Sequence, residues 1–157
     1  MDTFEKYFNS ALRFLSFRPR SEKEVRDNLK KKSVDPLIIE KIISKLKEKN
    51  FVNDSEFAKW WIESRTRFKP RSIKLIRIEL KQKGIRGDIL DKMINDEGLM
   101  MNDLEQAKKL VEKKIERYKG LPKHELYQKL GGFLARRGFD WDTIKQSIDE
   151  VIREGVY

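Results

Sequence analysis

The sequence contains no cysteine, which excludes disulfides, thiolate metal sites and thiol nucleophiles and leaves the fold to be held by packing alone. Histidine occurs once, as His124, and there is no glycine-rich phosphate loop and no HExxH-type metal spacing, so the usual materials of catalysis are scarce. No apolar run approaches the ~18 residues that a membrane span requires. The opening MDTFEKYF carries acids and no apolar stretch, so neither a signal peptide nor a transit peptide is expected, and the cytoplasm is the expected location. Segments with the alternating period of a β-strand are also missing.

What is present in excess is charge. Charged residues make up 39% of the 157 residues, with a formal net charge of +10. From Arg65 to Arg86 there are nine Lys and Arg (Arg65, Arg67, Lys69, Arg71, Lys74, Arg77, Lys81, Lys83, Arg86) and one acid, Glu79, so these 22 residues hold +8 of the +10. Such a concentration points to an anionic partner.

Helix punctuation recurs along the chain. Ser21 and Glu24 form a capping box, in which the hydroxyl takes an orphan amide of the first turn while the carboxylate reaches back. Asp35-Pro36 places an acceptor at the N-cap and a residue without an amide hydrogen at the first helical position. Asn53 to Glu56 and Asn102 to Glu105 repeat the box spacing, and Gly84 and Gly138 sit where helices end in a positive φ. Nine helices are expected.

The apolar positions also repeat at a fixed offset. Adding 51 takes Pro19 to Pro70, Arg20 to Arg71, Ser21 to Ser72, Val25 to Ile76, Leu29 to Leu80, Val34 to Ile85, Ile38 to Ile89, Ile42 to Met93 and Ile43 to Ile94. An offset of 54 takes Ile76 to Leu130, Leu80 to Leu134, Gly84 to Gly138, Ile85 to Phe139, Leu90 to Ile144 and Ile94 to Ile148. The expected fold is all-α, a tandem array of three three-helix, helix-turn-helix-like repeats at 1–50, 51–98 and 99–157. Units this small should lean on one another in an elongated, curved array. The expected seams are Asn50 to Asp54 and Gly98 to Asn102.

On the helix from Ser72 to Lys83, Ile73, Ile76 and Leu80 share one stripe and Lys74, Arg77 and Lys81 lie together beside it. A solvated charged face is the plain reading. The near absence of i to i+4 acid partners favours a functional contact with an anion, because neighbouring cations otherwise repel. Leu75 and Ile78, on the far side, would seat the next unit or a protein partner. Phe57, Trp61 and Phe68 fall within one stripe, which makes Trp61 core. Trp60 lies at its edge and either covers a seam or stacks on a base or a partner. Phe51, Phe133, Phe139 and Trp141 read as core. Asp54 and Glu56 are explained by the dipole of the helix they begin.

With these residues in hand, the chain resembles the RecX family over essentially its whole length. The strongest passage runs from Phe51 to Ile94 and opens FVNDSEFAKWWIESRTRFKPRSIKLIRIELKQKGI, similar to the family's middle unit. ALRFLSFRPRSEKEVRDNL, from Ala11 to Leu29, resembles its opening pattern, and KLGGFLARRGFDWDTIKQSI, from Lys129 to Ile148, its closing unit. The resemblance implies a non-enzymatic modulator that lodges along the groove of RecA filaments and restrains filament growth, ATP hydrolysis and strand exchange, without a cofactor of its own; a monomer without a metal site is expected. It also implies that Arg65, Arg67, Lys69, Arg71, Lys74 and Arg77 contact RecA or DNA. Lys69-Pro70 stands where many members carry glycine, which implies a stiffer loop.

Two other readings stay open. One is a stand-alone protein that binds single- or double-stranded DNA non-specifically through the basic middle repeat, since three-helix units are shared with helix-turn-helix proteins. The other is a magnesium-dependent nuclease, for which no carboxylate pair is singled out by spacing.

Overall fold

The computed structural model describes residues 2–96 and 102–155. Among them are nine α-helices and no strand: α1 (Thr3–Phe17), α2 (Glu22–Lys31), α3 (Pro36–Glu48), α4 (Asp54–Phe68), α5 (Ile73–Gln82), α6 (Gly87–Asp91), α7 (Asp103–Lys114), α8 (Lys123–Arg136) and α9 (Trp141–Arg153). A π-helical turn at Lys92–Asp96 follows α6 and a 3-10 turn at Ile115–Tyr118 follows α7.

The helices start where side-chain chemistry predicts. Ser21 and Glu24 close their reciprocal box at the start of α2, and Asp35 accepts the Leu37 amide at 2.8 Å with Pro36 leading α3. Asn53 and Asn102 accept the amides of Glu56 and Glu105 at 3.1 and 2.9 Å.

The middle helix of each repeat ends in the same way. Ser33, Gly84 and Gly138 adopt φ of +60°, +81° and +89°. The next residues, Val34, Ile85 and Phe139, are buried and donate their amides to the carbonyls of Leu29, Leu80 and Leu134 at 3.3, 3.1 and 3.2 Å. This is the Schellman stop, in which a left-handed residue lets the chain satisfy the last carbonyls and fold an apolar side chain back onto the helix. Its threefold recurrence is the structural counterpart of the sequence offsets.

The described residues fold as two compact units, one comprising residues 2–61 and 79–96 and the other 62–78 and 102–155. The first buries Ala11 of α1, Val25 and Leu29 of α2, and Ile39, Ile42, Ile43 and Leu46 of α3. The second buries Leu110, Val111 and Ile115 with Leu126, Leu130 and Leu134 of α8 and Ile144, Ile148 and Val151 of α9. Burial of such side chains contributes about 1.5–3 kcal/mol each and drives the collapse of each unit.

Phe57 and Trp61 are buried, as the helical wheel expects. Two aromatic expectations need correcting. Phe51 is 52% exposed because Val52, at 3%, fills the core position beyond the left-handed Asn50. Trp141 is 60% exposed, since it opens α9 one turn before the stripe of Ile144, Ile148 and Val151 reaches the core. Phe68, the last residue of α4, is exposed as well. Of the second expected seam, Gly98 to Met101 lie outside the described residues.

Candidate partner-binding surface

Most of the basic segment belongs to the second unit. Arg65 and Arg67 occupy the last turn of α4, where cations complement the helix dipole. Lys69, Pro70 and Arg71 form the link to α5, which carries Lys74 and Arg77. Arg67, Lys69 and Lys74 are exposed; Arg65, Arg71 and Arg77 are half-buried.

The link is held on both sides. The Ser72 amide donates to the Arg137 carbonyl at 3.0 Å, and the Arg137 guanidinium donates to the Pro70 carbonyl at 3.2 Å. Ser72 is buried, and its hydroxyl oxygen caps α5 by accepting the Leu75 amide at 3.1 Å. Asp103, the first residue of α7, adds a cap by accepting the Ile73 amide at 2.9 Å. Burial raises the Asp103 carboxyl above its ordinary value, with Asp140 adding to the rise and the Ile73 amide opposing it. Gly138 packs so close that a Cβ there would lie 2.5 Å from Ser72 Oγ and 2.9 Å from Leu75 Cβ. Leu75 is thus half-buried against that turn, whereas Ile78 is 43% exposed.

Three cations that sequence reasoning passed over join this region. Burial lowers the Arg137 guanidinium from its ordinary value, and the nearby charge of Arg71 lowers it further, so the third repeat brings a cation beside the middle one. Lys109 and Lys113 of α7 line a cleft of about 370 Å3 with Arg67, Thr66, Pro70, Leu110 and Glu112. The Thr66 hydroxyl is buried, with no hydrogen-bond partner among the described residues. The i, i+4 spacing of Lys109 and Lys113 was available in the sequence; their place beside Arg67 was not.

The first unit repeats the same joint. Ser21 Oγ donates to the Lys83 carbonyl at 2.7 Å, Asp54 accepts the Glu22 amide at 2.9 Å, and a Cβ on Gly84 would lie 2.6 Å from Lys23 Cβ. Asp54 therefore caps α2 as well as beginning α4, a role that the dipole reading missed. Burial raises its carboxyl above the ordinary value, with Glu22 adding to the rise and the Glu22 amide and Lys47 opposing it.

Glu24 is the hub of this unit. Its carboxylate takes the Arg18 guanidinium at 2.5 Å, the Ser21 amide at 3.1 Å and the Lys83 ammonium at 3.3 Å. Burial alone would raise it, but Arg18, the Ser21 amide and Lys83 together hold it below the ordinary carboxylate value. Glu79, the single acid of the basic run, accepts the Trp61 indole N–H at 3.1 Å. Lys81 is exposed in this unit, and Trp60 is half-buried with the Arg18 guanidinium 5.6 Å from its ring centre.

His124 is exposed on α8, and among the described residues no three His, Asp or Glu side chains gather where a metal could sit. Among those residues, no helix is long and apolar enough to cross a membrane.

Comparison with known proteins matches three family models in order: the first three-helix domain of RecX at residues 8–46, the second at 53–94 and the third at 102–148. The chain is 35% identical over 150 residues to the regulatory protein RecX of Bacillus subtilis strain 168, covering 96% of this chain and 56% of that protein. It is 35% identical over 147 residues to the protein of the same name from Prosthecochloris aestuarii, covering 94% of each. The chain thus spans about half the length of the Bacillus relative and nearly all of the other. The crystal structure of RecX from Lactobacillus salivarius superposes with a TM-score of 0.74 at 28% identity, covering 94% of this chain and 96% of that one.

Proposed function

The chain belongs to the RecX family of regulatory proteins, and from that premise we propose that it regulates the RecA recombinase by binding along the groove of RecA filaments. The contact is made by Arg65, Arg67, Lys69, Arg71, Lys74, Arg77 and Lys81, with Trp60, Leu75 and Ile78 as apolar contacts. Binding restrains filament growth, ATP hydrolysis and strand exchange in recombination and DNA repair. The protein acts as a cytoplasmic monomer of three repeats bounded at 1–50, 51–98 and 99–157, without catalysis or a cofactor of its own.

One observation carries the reading. The segment with +8 of the chain's +10 includes a link whose backbone is fixed from both sides by Arg137, with Lys109 and Lys113 beside it. A dense cationic surface on a fixed backbone suits a long polyanionic or acidic partner, because the geometry that binds is already formed.

The mechanism is electrostatic and geometric. The basic face meets filament acids or DNA phosphates, and a grip on more than one protomer changes the rate of subunit addition or loss. The cleft lined by Arg67, Lys109 and Lys113 also favours a second reading, non-specific DNA binding without RecA.

The ATPase rate of RecA on single-stranded DNA, titrated with this protein at two salt concentrations, separates the two. Substoichiometric wild type should lower the rate, and an Arg71→Glu/Lys74→Glu/Arg77→Glu variant should have a much weaker effect. An unchanged ATPase together with salt-sensitive DNA binding would replace the regulator with the stand-alone DNA-binding protein.

A further inference from the structure

A basic cleft lies in the first unit, between α1 and the end of α2. Lys6, Asn9, Arg13 and Phe17 are spaced three or four residues apart on α1 and so share one face of that helix. Asn28 and Lys32, four apart at the end of α2, face them across a cleft of about 480 Å3, which Ser10 and Phe14 also line. That volume falls within the roughly 300–1,000 Å3 of small-ligand sites.

Three features of the cleft ask for a particular occupant. Its cations are Lys6, Arg13 and Lys32, and among the described residues no acid lines it; the Lys32 ammonium donates to the neutral Ser10 hydroxyl. Phe17, at the rim, is 73% exposed. Among the described residues nothing donates to the buried Asn28 Oδ1, a costly state for an acceptor unless a ligand donates to it.

We propose that this cleft binds a nucleotide unit of single-stranded nucleic acid. A backbone phosphate sits among Lys6, Arg13 and Lys32, the base lies against the Phe17 ring, and a ring N–H or exocyclic amine of the base donates to Asn28 Oδ1. Base and aromatic faces stack whatever the base, and the phosphate supplies the charge. Acidic side chains of a protein fit less well, since carboxylates only accept and leave Asn28 unsatisfied, and they bring no flat face to Phe17. A duplex keeps its bases stacked out of reach. The inference stands apart from the filament reading, because it needs no RecA.

The test uses the full chain and fluorescein-labelled oligo(dT), whose thymine N3–H is a suitable donor, with anisotropy followed over a series of salt concentrations. Arg13→Gln/Lys32→Gln should weaken binding and flatten the log-log salt slope by up to about 0.7, the share of the one phosphate these cations hold. Phe17→Ala should weaken binding at least about fivefold and leave the slope unchanged. Circular dichroism is the check that these surface variants keep their helices.

Three outcomes would overturn the proposal. These are no oligo(dT) binding by the wild type, wild-type affinity in both variants, or displacement of the probe by polyglutamate as readily as by unlabelled oligo(dT) of equal charge. A chain that fails here yet inhibits RecA ATPase loses only the cleft. One that binds through the cleft yet leaves ATPase untouched loses only the filament reading.

Discussion

Replacing Gly138 by alanine tests the joint that fixes the basic link. Gly138 has φ of +89°, and an alanine forced into the left-handed region costs about 1–2 kcal/mol. The new methyl would also sit 2.5 Å from Ser72 Oγ and 2.9 Å from Leu75 Cβ. Neither group can yield easily: the serine oxygen caps α5, and the Leu75 Cβ is fixed to the α5 backbone. Overpacking of this kind adds about 1–3 kcal/mol, so the total is roughly 2–5 kcal/mol, a large part of the stability of an ordinary domain.

Gly120 supplies the control in the same unit. Its φ is +88°, yet nothing lies within 4 Å of where its Cβ would be. Gly120→Ala should therefore pay the backbone strain alone, about 1–2 kcal/mol. The loss of unfolded-state entropy, under about 1 kcal/mol in the opposite direction, is common to both and cancels in the comparison.

Urea denaturation followed by far-ultraviolet circular dichroism reads the difference. With a slope of about 2 kcal/mol per molar urea, Gly138→Ala should lower the midpoint by roughly 1–2.5 M and Gly120→Ala by roughly 0.5–1 M. A midpoint for Gly138→Ala no lower than that for Gly120→Ala would refute the close packing argued for the joint.

Two further variants address the caps and the hub. Asp103→Ala removes the acceptor for the Ile73 amide and should cost about 1 kcal/mol. Asp103→Asn keeps an acceptor oxygen and removes a charge that burial disfavours, so at pH 7 it should melt close to wild type; an Asn variant as unstable as the Ala variant would sink this assignment. The carboxyl of Glu24 is depressed in the folded chain relative to its ordinary value of 4.5. Its contribution is therefore present above that value and is lost as pH falls through the folded one. Melting temperatures from pH 7 down to 3 should fall less steeply for Glu24→Gln than for wild type, and equal slopes would refute the hub.

The parts of this architecture legible in the sequence are those set by local chemistry. The Ser21 box, the Asp35-Pro36 start and the left-handed stops at Gly84 and Gly138 depend on residues a few positions apart, so their geometry follows from residue type. The repeat offsets were legible for a related reason, since each copy must fill the same core positions. Phe51 and Trp141 were misplaced because periodicity says which stripe a side chain joins but not where along the helix the core ends.

The surface was half legible. The basic run from Arg65 to Arg86 announces itself, but Arg137, Lys109 and Lys113 reach it only through packing that no local spacing encodes. Asp54 and Asp103 are the sharpest case. Their position in a first turn has a sufficient local explanation, and that explanation conceals their second task of capping α2 and α5.

The clasp of Arg137 on residues 70 and 72 bears on the thermodynamics of recognition. A flexible arginine-rich arm loses conformational freedom when it meets its partner, and affinity is diminished by that loss. Here the restriction of the link is incurred while the protein folds, with Pro70 limiting the unfolded chain as well. In the proposed complex, association through Lys69 and Arg71 should then proceed with little backbone ordering, so that tuning by sequence change falls mainly on the lifetime of the complex rather than on the rate at which it forms.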